Sequence, residues 1–114
     1  LAILKKYEKS GNKLVYITIA GRSNALSGVV DANTKYPVIA CPPLSGGFSK
    51  VDIYSSLRMP SGVAPLVILE PANAALAAAK ILAVNDGELS KSLLKYKLGM
   101  KEKVGLDDEA IRQM

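Results

Sequence analysis

Three apolar runs, each stopped by a turn, constrain this chain more than any other feature. Leu14-Val15-Tyr16-Ile17-Thr18-Ile19 runs into Ala20-Gly21-Arg22-Ser23-Asn24. Val38-Ile39-Ala40-Cys41 runs into Pro42-Pro43, and Leu66-Val67-Ile68-Leu69 into Glu70-Pro71. Short runs rich in β-branched residues read as strands, and continuous apolarity predicts a parallel sheet covered on both faces. Helical patterns separate the runs. The predicted order is helix, strand, helix, strand, helix, strand, helix, helix. That order belongs to a three-layer α/β fold with an open parallel sheet and C-terminal helices. Ligands of such sheets bind outside the carboxyl ends of the strands, where all three turns fall.

The element boundaries come from local chemistry. Residues 1–9 read as the end of an amphipathic helix, stopped by Ser10-Gly11-Asn12. Strands are expected over 13–20, 36–41 and 63–69. Ser23 or Asn24 caps a helix to about residue 32. A loop over 44–50 precedes a short helix over 52–59, which Pro60-Ser61-Gly62 stops. Pro71 is tolerated in the first turn of a long helix to about residue 84. Asn85-Asp86-Gly87 breaks it, and another helix runs over about 88–103 with Leu89, Leu93, Leu94 and Leu98 apolar. The expected domain covers residues 1–104, and 105–114 form a tail with a short frayed helix.

Composition excludes several classes. The 114 residues are 49% hydrophobic and 22% charged, an ordinary globular balance. No apolar run reaches the roughly 18 residues needed to cross a bilayer, and no signal peptide is visible. A single cysteine argues against a disulfide framework and for a reducing, cytoplasmic setting. The net charge of +5 is mild, and the lysines gather after Ser90 as a solvated helical face. One Phe, no Trp and no basic-aromatic interleaving argue against nucleic acid as a partner. There is no histidine in the chain, and no His, Cys or acidic cluster has metal-ligand spacing. The opening Leu1-Ala2-Ile3-Leu4 reads as the middle of a helix, so the chain is expected to be the later part of a longer domain.

The turns carry the candidate chemistry. Gly21 permits close backbone approach, Arg22 suits a phosphate or carboxylate, and Ser23 and Asn24 offer short polar groups. Taken alone, those four residues are better explained by an ordinary capped turn. Cys41 has no histidine to activate it and reads as a buried, inert thiol. Pro42 and Pro43 make a rigid wall. Ser55-Ser56-Leu57-Arg58-Met59-Pro60-Ser61-Gly62 suits either a loop beside a ligand or a helix end with Met59 in the core. Asn73 reads as part of a helix start or as a hydrogen-bonding group.

Taken together, AGRSNALSG, YPVIACPP, DIYSSLRMPSG and NAALAAAKIL resemble, in order and spacing, the aminoimidazole ribonucleotide (AIR) carboxylases of purine biosynthesis. These PurE-type enzymes also occur as a domain of a bifunctional animal enzyme. The resemblance covers about residues 1–97 and implies a flavodoxin-like or Rossmann-like sheet. In place of a class I glycine loop containing histidine, this chain has Gly21-Arg22-Ser23-Asn24-Ala25-Leu26-Ser27-Gly28. That resembles class II, which carboxylates AIR directly with CO2, with no ATP, biotin or metal and no other cofactor.

The resemblance implies a set of roles. Ser23 lies at the CO2 site, with Gly21, Arg22, Asn24, Ala25 and Leu26 around it. Pro42 and Pro43 wall the ring pocket, while Ser55, Arg58 and Ser61 organise the neighbouring loop. It also implies a homo-oligomer, an octamer or else a tetramer, with some residues serving a neighbour's site. The family's phosphate loop and proton-carrying histidine are expected upstream of Leu1, so no residue of this chain is assigned the catalytic proton transfer. Three alternatives stay open: the class I mutase activity on N-carboxylated AIR, a carboxylase acting on a nicotinate nucleotide, and a non-catalytic phosphosugar-binding subunit.

Overall fold

The computed structural model describes residues 2–19, 25–43 and 57–112, with 106–110 described by backbone alone. Within these the elements are α1 (Ala2–Glu8), β1 (Tyr16–Thr18), α2 (Ala25–Ala32), β2 (Val38–Ala40), β3 (Leu66–Val67), α3 (Pro71–Ala83) and α4 (Gly87–Arg112). The sheet is parallel with the order β1-β2-β3. Tyr16, Ile17 and Thr18 face Val38, Ile39 and Ala40 in register, and Ile39 and Ala40 face Leu66 and Val67. The expected α/β class is observed, and the described elements fall in the expected order. The helix expected over 52–59 lies mostly outside the described residues, which resume at Leu57.

The core centres on β2. Val38, Ile39, Ala40 and the following Cys41 are all buried, Ile39 completely. A middle strand has neighbours on both edges, and helices can cover both of its faces. Leu4 of α1, Ser27 of α2, Ala74 of α3, Thr18 and Pro42 are also buried. The backbone ladder extends beyond the strands. Tyr16 N–H donates to Pro37 O at 3.0 Å, Cys41 N–H to Thr18 O at 2.8 Å, and Ile68 N–H to Ala40 O at 3.0 Å.

Two expectations need correction. The first run is not covered on both faces: Ile17 is 40% exposed and Ile19 63%. Among the described residues β1 pairs on one side only, so its outward side chains lack the cover that β2 receives. The regular strands are also shorter than the apolar runs that contain them. The other correction concerns the tail, where α4 continues without a break through Gly105 to Arg112. Each helical glycine costs only about 1 kcal/mol, and the helix runs through both Gly99 and Gly105.

By its internal contacts the chain divides into two compact units, residues 1–78 and 79–114. In the second unit, Asp86 starts α4: its Oδ1 accepts the Leu89 N–H at 3.0 Å and its carbonyl accepts the Ser90 N–H at 2.9 Å. This is a side-chain N-cap, with Glu88 in the first turn favoured by the helix dipole. Leu89 and Leu93 are half-buried, whereas Leu94 and Leu98 are exposed. No helix among the described residues is long and apolar enough to cross a membrane.

Candidate active site

The carboxyl ends of the three strands converge on a cleft of about 220 Å3. Its lining is Ile19 after β1, Cys41, Pro42 and Pro43 after β2, and Leu69, Glu70 and Pro71 at the start of α3. The prolines are there for a backbone reason. Proline cannot donate to a ladder, so Pro42 and Pro43 end the central strand. Pro71 opens α3, where a missing N–H costs nothing. Glu70 supplies the carbonyl that accepts the Ala74 N–H at 2.9 Å, so α3 begins at the cleft with its positive dipole end there.

The walls are mostly apolar, and two groups give them chemistry. Cys41 is buried, and its thiol donates to the Leu69 carbonyl at 3.6 Å, joining the ends of β2 and β3. Glu70 is exposed and brings a carboxylate. One strand residue back, the Thr18 hydroxyl is buried with no hydrogen-bond partner among the described residues. A small cleft with mostly apolar walls and few polar groups suits a flat ring or a small neutral molecule.

The residues expected at the site fall into three groups. Pro42, buried, and Pro43, exposed, line the cleft. Ala25 and Leu26 open α2 and are exposed, but do not line it. Arg58 and Ser61 are exposed in the segment leading into β3, on the amino side of that strand, and also do not line it. Gly21, Arg22, Ser23, Asn24 and Ser55 lie outside the described residues. Ile19, Leu69, Glu70 and Pro71 join the cleft without having been singled out as site residues. Their signal was present in the sequence, since each stands where an apolar run meets its turn.

The Arg58–Ser61 segment has a well-defined local structure. Val63 N–H donates to Pro60 O at 3.1 Å, closing a turn in which Gly62 has φ +89°. A positive φ at that position is what a type II turn requires, and glycine adopts it without strain. Met59 packs toward α2, where a Cβ on Gly28 would lie 3.5 Å from its sulfur.

A larger opening of about 550 Å3 lies along α1, lined by Leu4, Lys5, Glu8, Lys9 and Asn33. It adjoins a polar cluster at the amino ends of the strands. The Tyr16 hydroxyl donates to Glu8 Oε2 at 3.5 Å, Thr34 Oγ1 to Glu8 Oε1 at 3.2 Å, and Tyr36 N–H to Thr34 Oγ1 at 3.2 Å. Partial desolvation, with the Glu8 carboxylate adding to it, raises the Tyr16 phenol above its ordinary value of 10.0. Despite its size, this opening is the poorer candidate, because open parallel sheets present ligand sites at the carboxyl edge.

Known proteins are similar to this chain in sequence and fold. The family model described as AIR carboxylase matches residues 1–103. The chain is 51% identical over 112 residues to a phosphoribosylaminoimidazole carboxylase of Archaeoglobus fulgidus, with 98% of this chain and 61% of that protein covered. A protein of the same description from Treponema denticola is 50% identical over 113 residues, covering 99% of this chain and 71% of its own length. A crystal structure of Treponema denticola PurE matches with a TM-score of 0.90 at 52% identity, covering 95% of this chain and 68% of that one. The chain thus spans less than two thirds of the Archaeoglobus protein's length. By the family match and by these identities, it belongs to the AIR carboxylase family.

Proposed function

We propose that the protein carboxylates AIR with CO2 to give 4-carboxy-AIR in purine biosynthesis, as a class II enzyme without ATP, biotin or metal. The supporting observation is the apolar cleft at Pro42 and Pro43, in a chain of this family. In the reaction the electron-rich ring carbon attacks CO2, a carbon–carbon bond forms, and that carbon loses its proton. The protein must hold the ring flat, keep water from the CO2, stabilise the growing carboxylate and accept the proton. Pro42 and Pro43 wall the ring. Ser23, with Gly21, Arg22, Asn24, Ala25 and Leu26, makes the CO2 and carboxylate end.

Arg58 and Ser61 stand apart from this cleft, which supports their service, with Ser55, in a neighbouring copy's site. The protein is accordingly a homo-oligomer, an octamer in this reading, and works in the cytoplasm. The 114 residues contain no histidine. The proton-carrying histidine and the phosphate loop are therefore assigned to the part of the relatives' length that this chain does not span, and the 114 residues alone are inactive.

The test supplies AIR and isotopically labelled bicarbonate to the intact protein without ATP. Label in 4-carboxy-AIR is the expected result. Turnover of N-carboxylated AIR alone would reassign the protein to the mutase class. Binding of AIR without either reaction would leave a phosphosugar-binding subunit. Turnover by residues 1–114 alone would refute the assignment of the histidine elsewhere.

A further inference from the structure

Asp31 makes a long-range contact away from the cleft. It is half-buried in the last turn of α2, and its Oδ2 accepts the Ala64 N–H at 2.7 Å, across 33 positions of sequence. A carboxylate bonded to a backbone amide is among the stronger hydrogen bonds of a fold. Gly28 stands three positions earlier on the same helical face and receives Met59. Ser27 beside it is completely buried. The carboxyl half of α2 is thus held against residues 59–64 at two points, one polar and one apolar. The Ala64 end of that contact is backbone, so it reports the position of the chain and not the identity of a side chain.

The other end of α2 begins at Ala25 and Leu26, both exposed. An eight-residue helix is about 12 Å long and behaves as a stiff rod. Fixing its last turn therefore fixes where its first turn stands. We propose that Asp31 is a positioning residue: by anchoring α2 to the chain at Ala64, it sets the placement of Ala25 and Leu26 at the carboxyl edge. This rests on the carboxylase reading, in which Ala25 and Leu26 belong to the CO2 end of the site. Asp31 does not line the cleft, and its effect travels along the helix.

The experiment compares wild type, Asp31→Ala and Asp31→Asn in the intact protein, measuring kcat and the KM for AIR and for CO2 separately. Amide exchange at residues 59–64 is followed in parallel. Asp31→Ala is expected to speed exchange at Ala64 and to raise the KM for CO2 about tenfold, the scale of a modest misplacement of reacting groups. The KM for AIR should stay within about threefold of wild type, because the ring pocket is walled from β2. Asp31→Asn keeps an acceptor of the same shape and is expected to recover most of the CO2 effect, so the comparison survives if the alanine variant folds poorly. Faster exchange with both KM values unchanged would overturn the proposal and leave Asp31 a purely structural residue. A raised CO2 KM with unchanged exchange at Ala64 would overturn it too. A wild type that does not carboxylate AIR overturns the carboxylase reading, and the positioning role falls with it. An active wild type beside an Asp31→Ala variant of wild-type kinetics overturns the positioning role alone.

Discussion

At the carboxyl ends of the strands, Ile19, Pro42, Pro43, Leu69 and Pro71 enclose a small slot of about 220 Å3 with few polar groups. At the other end, Glu8 gathers Tyr16 and Thr34 into a hydrogen-bonded cluster beside an opening of about 550 Å3 bordered by Lys5 and Lys9. The same strands make both ends, so the difference lies in the residues that flank each strand. Prolines and a helix start stand at the carboxyl ends. Hydroxyls and a carboxylate gather where the strands begin. The larger opening is a surface groove beside lysines, while the smaller one has mostly apolar walls and lies at the carboxyl edge, where open parallel sheets present ligand sites.

The largest expected effect that tests this contrast is at Pro42. Pro42→Gly should lower kcat/KM for AIR carboxylation about tenfold or more, because a mobile wall no longer holds the ring in line. Steady-state kinetics on the intact protein would check it, and wild-type kinetics would remove Pro42 from the ring pocket. Smaller, and of the opposite kind, is the effect at the amino ends. Glu8→Ala removes the acceptor shared by Tyr16 and Thr34 and should cost about 1 kcal/mol of stability. Denaturant unfolding would measure that cost, and AIR turnover should be unchanged. A turnover defect in this variant would break the division between a chemical end and a structural end.

The smallest expected effect is a pH dependence. The Tyr16 phenol is raised above 10.0 in the fold, chiefly by desolvation and then by Glu8. The folded state therefore keeps this proton at pH values where the unfolded chain has lost it. Its contribution to stability is complete below pH 10.0 and is lost as pH rises from there through the raised value. Absorbance titration of the phenolate should show one tyrosine titrating late in wild type and earlier in Glu8→Ala. An unchanged profile in the variant would remove Glu8 from the causes, leaving burial and the neighbouring Tyr36.

Much of this fold was legible because its signals are local. Apolar runs, the stop at Gly11 and the turn at Gly62 each declare themselves within a few residues, and both glycines take positive φ, +74° and +89°. The exposure of Ile17 was not legible. The same six-letter apolar run serves a central or an edge strand, and only its pairing decides which. The continuity of α4 through Gly105 was misread because a glycine weakens a helix without being sufficient to end it. At the site, Pro42 and Pro43 could be read from the sequence because they end a strand. The separation of Arg58 and Ser61 from them could not, since a motif's spacing does not say which end of the sheet a loop occupies. The Asp31 contact left no sequence signal at all: its partner is a backbone amide 33 positions away.

Cys41 gives the molecule a chemical clock. It is the sole thiol of the 114 residues, it is buried, and its sulfur lies on the Leu69 carbonyl where β2 and β3 end. A water-soluble alkylating reagent meets the buried sulfur most readily when the cleft floor opens. The rate of labelling therefore counts openings of the cleft floor, with no engineered probe and no competing cysteine in this chain. A ligand seated between Pro42 and Pro71 would slow that clock, making occupancy of the slot measurable without following turnover.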